Sequence, residues 1–575
     1  MIGRGAGVNI PVFSLRTKKS LGCGELLDLI PLIDWASEAG LKLIQILPIN
    51  DTCITETEKD ACPYSILSAF ALHPIYLNVQ ALGPEFEEEF SPIIRSLNLP
   101  KLEYQKTYLA KREILKMLYS IRGEKDLSTK AFEQFFERQK EHLKPYAAFC
   151  VLRDKYKTSD FRKWKTLSTY SELAVEEICE NSEVKYYYFL QYHLDKQMRQ
   201  VHAYARKKGI LLKGDFAISV HQNSVEAWRY DEYFRFDKSM GAPPDFYNEF
   251  GQNWGFPSYN WDEIRAEGFY WLKSRLSWME QYFDVIRIDH VLGYFRLWEI
   301  PKGKLRGLMG NFHPAIGYDN IPDPQKLTSS QPTENVCFFK REGKYHPRIN
   351  CKSTSSFKAL NAPLQKKVLQ MHDEYFLERQ EKLWKKEGRE KLEIIQNNTK
   401  MLICAEDIGV IPKAAREVLK ELNMLNLHLQ RMPKSFEIEF EDPQDFPTRC
   451  VCTPSNHDTA TLRGWWEKDP KSTKRYYNTI LRHRGDPPRE LTEELAREII
   501  QAHLDSKATL AIFLLQDLLA MSEAIRFPDP KEHRINNPAK PKDQWQWRMH
   551  LYVEELHLAG SFTEMLHRMI KKGKR

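Results

Sequence analysis

The chain has 575 residues and a formal net charge of +7, with basic and acidic residues interspersed, so it offers no basic footprint for nucleic acid. No apolar run approaches the roughly 18 residues of a membrane span, and the opening MIGRGAGVNIPVF lacks the apolar core of a signal peptide, which points to the cytoplasm. The ten cysteines include no CxxC pair and read as reduced core residues.

In chain order, LLDLIPLIDWASEAG predicts a helix ending at Gly40, and LKLIQILPIN (41–50) follows as a strand that stops at Asn50 and Asp51. From about 83 to 205 long charge-rich helices such as YQKTYLAKREILKMLYSIRG and KPYAAFCVLRDKY follow one another without a buried strand. Strand and helix alternation resumes with ILLKGDFAISV (210–220), FDVIRIDH (283–290), MLICAED (401–407), NLHLQRMP (426–433) and TRCVCTPSNHD (448–458). The aromatic, Pro- and Gly-rich segment GAPPDFYNEFGQNWGFP (241–257) reads as a lid loop, and 303–360, which lacks periodicity, as long loop over one rim. Helix 373–395 carries Glu378–Lys382 and Glu381–Lys385 pairs on a solvated face, and the terminal KKGKR reads as a frayed end. Repeated strand and helix units imply a parallel sheet with right-handed crossovers. The expected fold is α/β, a (β/α)8 TIM barrel with helical and loop insertions. It forms a single catalytic domain over 1–575, with a barrel core of about 1–82 and 206–575 and a helical insertion of about 83–205.

Three of these strands end in a carboxylate: Asp289, Glu406 and Asp458. A β-branched apolar run that stops at charged residues fits a parallel strand delivering polar groups to the carboxyl edge of a barrel, where active sites form. Three acids at three strand ends suggest glycosyl transfer, in which one carboxylate attacks and another acid protonates the leaving oxygen. Arg287, two residues before Asp289, points to the same face of its strand. His290 and His457 flank two of the acids. They suit sugar hydroxyls, and a metal is the rival reading, but no HxxxH pair is present and neither metal nor cofactor is expected. Asp215 closes the strand before Asp289 and reads as a sugar-binding acid or a helix cap. Tyr64, between Pro63 and Ser65, belongs in a turn. The 26 Tyr and 13 Trp offer faces for stacking on sugar rings.

The chain also resembles the amylomaltases, the 4-α-glucanotransferases of glycoside hydrolase family 77, and within them the cytosolic plant-type disproportionating enzymes. The resemblance runs from about 7 to 548. It rests on GVNIPVFSLRT (7–17), DWASEAGLKLIQILPIND (34–51), PYSILSAFALHP (63–74), KGDFAISVHQNSVEAW (213–228), GAPPDFYNEFGQNWGFPSYNW (241–261), VIRIDHVLGYFRLWEIP (285–301), CAEDIGVIP (404–412), SNHDTATLRGWW (455–466) and RINNPAKPKDQWQWR (534–548), in that order. It implies Asp289 as nucleophile, Glu406 as general acid and base, and Asp458 as the acid that grips the sugar's 2- and 3-hydroxyls. Tyr64, Asp215, Arg287, His290 and His457 would contact the donor sugar, and Asp245, Gln252 and Trp254 the acceptor. The implied partners are maltose, maltodextrins and glycogen-like α-glucans. A hydrolase on the same carboxylates and a non-catalytic glycogen-binding barrel are the alternatives.

The loop Asp51 to Cys62 lacks the aromatic that many members carry there, while His73 and the Asn537–Pro541 segment match the plant-type branch. That branch carries starch-binding modules before its barrel. With the first barrel motif at Gly7, such modules are expected to be absent here.

Overall fold

The computed structural model describes all residues except 1–2, 246–247, 331–332, 410, 436 and 539–543. Parts of the motifs at 241–261, 404–412 and 534–548, including most of Asn537–Pro541, therefore lie outside the described residues.

Eight parallel strands close into a barrel in sequential order. They are β1 (Gly5–Asn9), β2 (Leu43–Gln45), β3 (Leu211–Phe216), β4 (Val285–Ile288), β5 (Leu402–Ala405), β6 (Leu425–Leu429), β7 (Cys450–Thr453) and β8 (Leu510–Leu514). Leu43, Val285, Cys404, Leu425, Val451, Leu510 and Ile512 fill the interior as one apolar cluster, whereas Ile286 and Ile288 join the larger core outside the barrel. Strand alternation therefore puts Arg287 on the inner face with Val285, and Asp289 next at the rim.

Six of the eight strands were expected. β1 and β8 were not, for different reasons. β1 is built of small residues because it lies close to β2: a Cβ on Gly7 would sit 2.9 Å from the Leu43 carbonyl oxygen. β8 is wholly apolar and runs without a break into the helix Leu515–Leu519, a pattern that cannot be told from a buried helix.

Between β2 and β3 the chain folds into helices that include Glu87–Leu97, Tyr104–Leu127, Lys130–Tyr156 and Glu172–Cys179. The last, Glu183–Lys207, packs on the helix Leu29–Glu38 and leads into β3, so the boundary expected near 205 falls inside a helix that serves the barrel.

The expected lid loop is strand at both of its ends. Phe234–Ala242 and Gln252–Tyr259 pair as an antiparallel hairpin in a four-stranded sheet with Leu297–Pro301 and Asn311–His313. Its pairing shifts register at Arg235/Ser239 and Ser239/Gly241, which is why the sequence shows no clean two-residue alternation. The segment expected as rim loop contains a further hairpin, Phe338–Arg341 with Lys344–Pro347, on a small core of its own around Tyr318, Phe338, Val368 and Tyr375. The expected helix 373–395 is interrupted by a π-turn at Tyr375–Arg379, and Lys385 pairs with Glu417 and Glu421 of the next helix instead of Glu381, whose carboxylate accepts the Ala414 N–H. Arg575 is not frayed. Its guanidinium donates to the carbonyls of Gly5, His503, Leu504, Ser506 and Ala508. All ten cysteines are free thiols, eight of them buried.

Candidate active site

Arg287 organises the carboxyl rim of the barrel. Its Nη1 donates to both oxygens of Asp215 at 2.8 Å and to Asp289 Oδ1 at 2.9 Å, and its Nη2 lies 3.8 Å from Glu406 Oε2. One buried guanidinium from β4 thus touches acids delivered by β3, β4 and β5. Asp215 is therefore a ligand of Arg287 and does not cap a helix.

Asp289 is held at both oxygens: Arg287 binds Oδ1, and the Ile218 backbone N–H donates to Oδ2 at 3.3 Å. His290 follows in a left-handed conformation, φ +43°. This turn aims its N–H at Glu406 Oε2, 2.7 Å away. Burial, with the neighbouring Asp289 and Asp458 carboxylates, pushes Glu406 up to about 7 against the pull of Arg287 and the His290 N–H. Burial also holds the His290 imidazole down at about 4, so it is neutral at physiological pH. The Trp254 ring meets it edge-on at 4.8 Å and donates its Nε1–H to Gln252 Oε1 at 3.0 Å.

Asp458 sits in a loop just beyond β7. Burial would raise its carboxyl, but His457, the Asn536 amide and Arg287 outweigh burial and hold it at about 2. The His457 Nε2 lies 3.2 Å from Asp458 Oδ2 and 3.0 Å from the Tyr64 hydroxyl, and Asn536 Nδ2 donates to Asp458 Oδ1 at 2.6 Å. Tyr64 occupies the expected turn and donates to Asp215 Oδ2 at 2.8 Å, which fixes its ring against His457 and Trp545, each at 5.8 Å between centroids.

Nine of the eleven expected residues thus form one linked cluster: Asp215, Arg287, Asp289, His290, Glu406, His457, Asp458 and Tyr64, with Trp254 against His290. Gln252 joins through Trp254. Asp245 lies at the hairpin turn, where its Oδ1 accepts the Asn248 N–H at 2.7 Å. Asn536 and Trp545 were missed as site residues. Both belong to the RINNPAKPKDQWQWR motif but lie in irregular backbone with no periodic signal. The Ile218 N–H carries no side-chain signature at all. Among the described residues no cluster of three or more His, Cys, Asp or Glu side chains has metal-binding geometry.

Glu406 held up at about 7, beside an Asp289 paired with Arg287 and an Asp458 held at about 2, puts carboxyls of unequal acidity at one centre, an arrangement that suits retaining glycosyl transfer.

A family model described as 4-alpha-glucanotransferase matches residues 10–554. The chain is similar to the 4-alpha-glucanotransferase DPE2 of Oryza sativa subsp. japonica, 35% identical over 96% of this chain and 68% of the rice protein. It is also similar to a 4-alpha-glucanotransferase of Chlamydia muridarum, 28% identical over 97% of this chain and 94% of the relative. Among solved structures, the amylomaltase from Streptococcus agalactiae in complex with acarbose shares the fold, with a TM-score of 0.74 at 21% identity, covering 100% of this chain and 99% of that one.

Proposed function

The chain belongs to the 4-α-glucanotransferases of glycoside hydrolase family 77, and on that premise we propose how its residues divide the reaction and which sugars it takes. It transfers glycosyl units between α-1,4-glucans. Asp289 attacks the anomeric carbon of the donor, and the bond from that carbon to the leaving 4-oxygen breaks as Glu406 gives the oxygen its proton. The glucosyl ester on Asp289 is then attacked by the 4-hydroxyl of an acceptor, whose proton returns to Glu406 as the carboxylate of Asp289 leaves. Asp458 accepts hydrogen bonds from the donor's 2- and 3-hydroxyls. Asp215, Arg287, His290, His457 and Tyr64 frame that sugar, and Asp245, Gln252 and Trp254 meet the acceptor.

The observation that carries this reading is Arg287, bonded to Asp215 and Asp289 and 3.8 Å from a Glu406 whose carboxyl is pushed up to about 7. The choice of transfer over hydrolysis turns on Trp254. Water at roughly 55 M captures the ester unless a sugar is bound and aligned, and alignment supplies effective molarities of about 10⁵ M or more.

For the substrate, maltose serves as donor and glycogen or a long glucan as acceptor, in the cytoplasm. The support is the plant-type motifs and the 35% identity to the rice protein. His73 marks that branch without facing sugar: it is buried, 2.8 Å from the Tyr104 hydroxyl. Among the described residues no helix is long and apolar enough to cross a membrane. We assign all of 1–575 to a single catalytic domain. Glucose release from maltose, measured with and without glycogen, tests the substrate reading. Stimulation by glycogen is expected. Absence of stimulation, with maltotriose still disproportionated, rejects maltose as the working donor.

A further inference from the structure

The Ala217–Ile218 peptide, just past β3, supplies the N–H that holds Asp289 Oδ2, and two buried side chains grip the backbone on either side of the Ile218 Cα, one on this peptide and one on the next. Arg275 Nη2 donates to the Ala217 carbonyl at 2.7 Å, and the Tyr259 hydroxyl donates to the Ile218 carbonyl. Arg275 is itself fixed between rings, its guanidinium carbon 4.1 Å from the centre of Phe216 and 4.9 Å from that of Trp271. Satisfying two backbone carbonyls does not call for an arginine. A buried guanidinium is costly, and Arg275 Nη1 has no hydrogen-bond partner among the described residues. What the arrangement secures is the direction of the Ile218 N–H.

Tyr259 is also the last residue of the strand Gln252–Tyr259, whose first residues include Gln252 and Trp254. A single strand therefore joins the Trp254 ring against His290 to the backbone of Ile218, whose N–H meets Asp289.

We propose that Tyr259 and Arg275 are positioning residues for the nucleophile: they fix the two peptides that flank the Ile218 Cα, Arg275 the Ala217–Ile218 peptide and Tyr259 the Ile218–Ser219 peptide, so that the Ile218 N–H orients Asp289, and Tyr259 ties the acceptor-side hairpin to this stretch of backbone. Neither residue touches sugar. The proposal rests on Asp289 being the nucleophile and deepens that reading. Its consequence is a defect in forming the glucosyl ester, with donor binding left intact, because Oδ1 and the sugar-gripping groups keep their partners.

The test is steady-state kinetics of Tyr259→Phe with two donors, maltotriose and α-maltosyl fluoride, whose fluoride departs with little help from an acid. A misplaced nucleophile slows both donors alike, whereas a misplaced acid is relieved by the fluoride. The expected result is a kcat lowered about 10- to 100-fold with both donors, KM within about twofold, and a melting temperature lowered by no more than about 5 °C, as loss of one buried hydrogen bond entails. A wild-type kcat, a change in KM alone, or recovery with the fluoride overturns the proposal. If Tyr259→Phe does not fold, Arg275→Lys is measured in the same way and must meet the same criteria. Asp289→Ala separates the two levels. An active Asp289→Ala removes the nucleophile reading itself, whereas an inactive Asp289→Ala beside a fully active Tyr259→Phe removes only the positioning role.

Discussion

The backbone N–H of His290 donates to Oε2 of Glu406 at 2.7 Å, so the residue that follows Asp289 in sequence sets the orientation of the Glu406 carboxyl. The left-handed turn at His290 makes this possible, and it couples the ends of β4 and β5, which carry Asp289 and Glu406. Such a conformation costs a non-glycine residue about 1 kcal/mol or more, a cost that active sites tolerate where the surrounding structure holds it.

Glu406, raised to about 7 by burial and by neighbouring carboxylates, is protonated below that pH and loses its proton above it. Transfer therefore falls as pH rises through about 7, about tenfold per unit, which a kcat/KM profile reads. Stability follows the same sign. The folded state holds this proton more tightly than the unfolded chain, so Glu406 destabilises the fold progressively between about 4.5 and about 7. Glu406→Gln should therefore gain stability relative to wild type as pH rises from about 4.5 to about 7, measured by denaturant unfolding.

Asp289→Ala, Glu406→Gln and Asp458→Asn should each lower kcat by roughly 10³-fold or more with the fold intact by circular dichroism. Double and triple variants should add little, because the three act as a unit. In a crystal with bound product the carboxyls of Asp289 and Glu406 should stand about 5–5.5 Å apart. A variant at any of the three with near-normal turnover loses its assigned role.

Trp254, edge-on to His290 at 4.8 Å, stands beside the residue that follows Asp289. Trp254→Ala should shift the products from transfer toward hydrolysis by about tenfold or more, as the aligned sugar loses its advantage over water. The ratio of new reducing ends to longer oligosaccharides measures this, and an unchanged ratio removes Trp254 from that role.

The positions of Arg287, Asp289, Glu406 and Asp458 were legible because each follows or ends a β-branched apolar run, and parity along β4 alone puts Arg287 and Asp289 on one side. β1 was hidden by its small residues, β8 by its continuity with a helix, and the hairpin around Trp254 by its register shifts. Asn536 meets Asp458 across 78 positions from irregular backbone, and the Ile218 N–H acts through main chain, so neither leaves a pattern in the side chains. Local periodicity reports strands and faces. It does not report which loops meet above them.

Exhaustive chelation with EDTA should leave activity unchanged, because the proton comes from Glu406 and not from a metal-bound water. Loss of activity that one added ion restores would contradict this assignment of the acid.

The most direct test is incubation with pure maltotriose, resolving products by chain length while counting reducing ends. Capture of the Asp289 ester by a sugar hydroxyl predicts a ladder of longer maltodextrins with glucose or maltose and almost no gain in reducing ends. Reducing ends that rise in step with substrate loss, with no product longer than maltotriose, would contradict it.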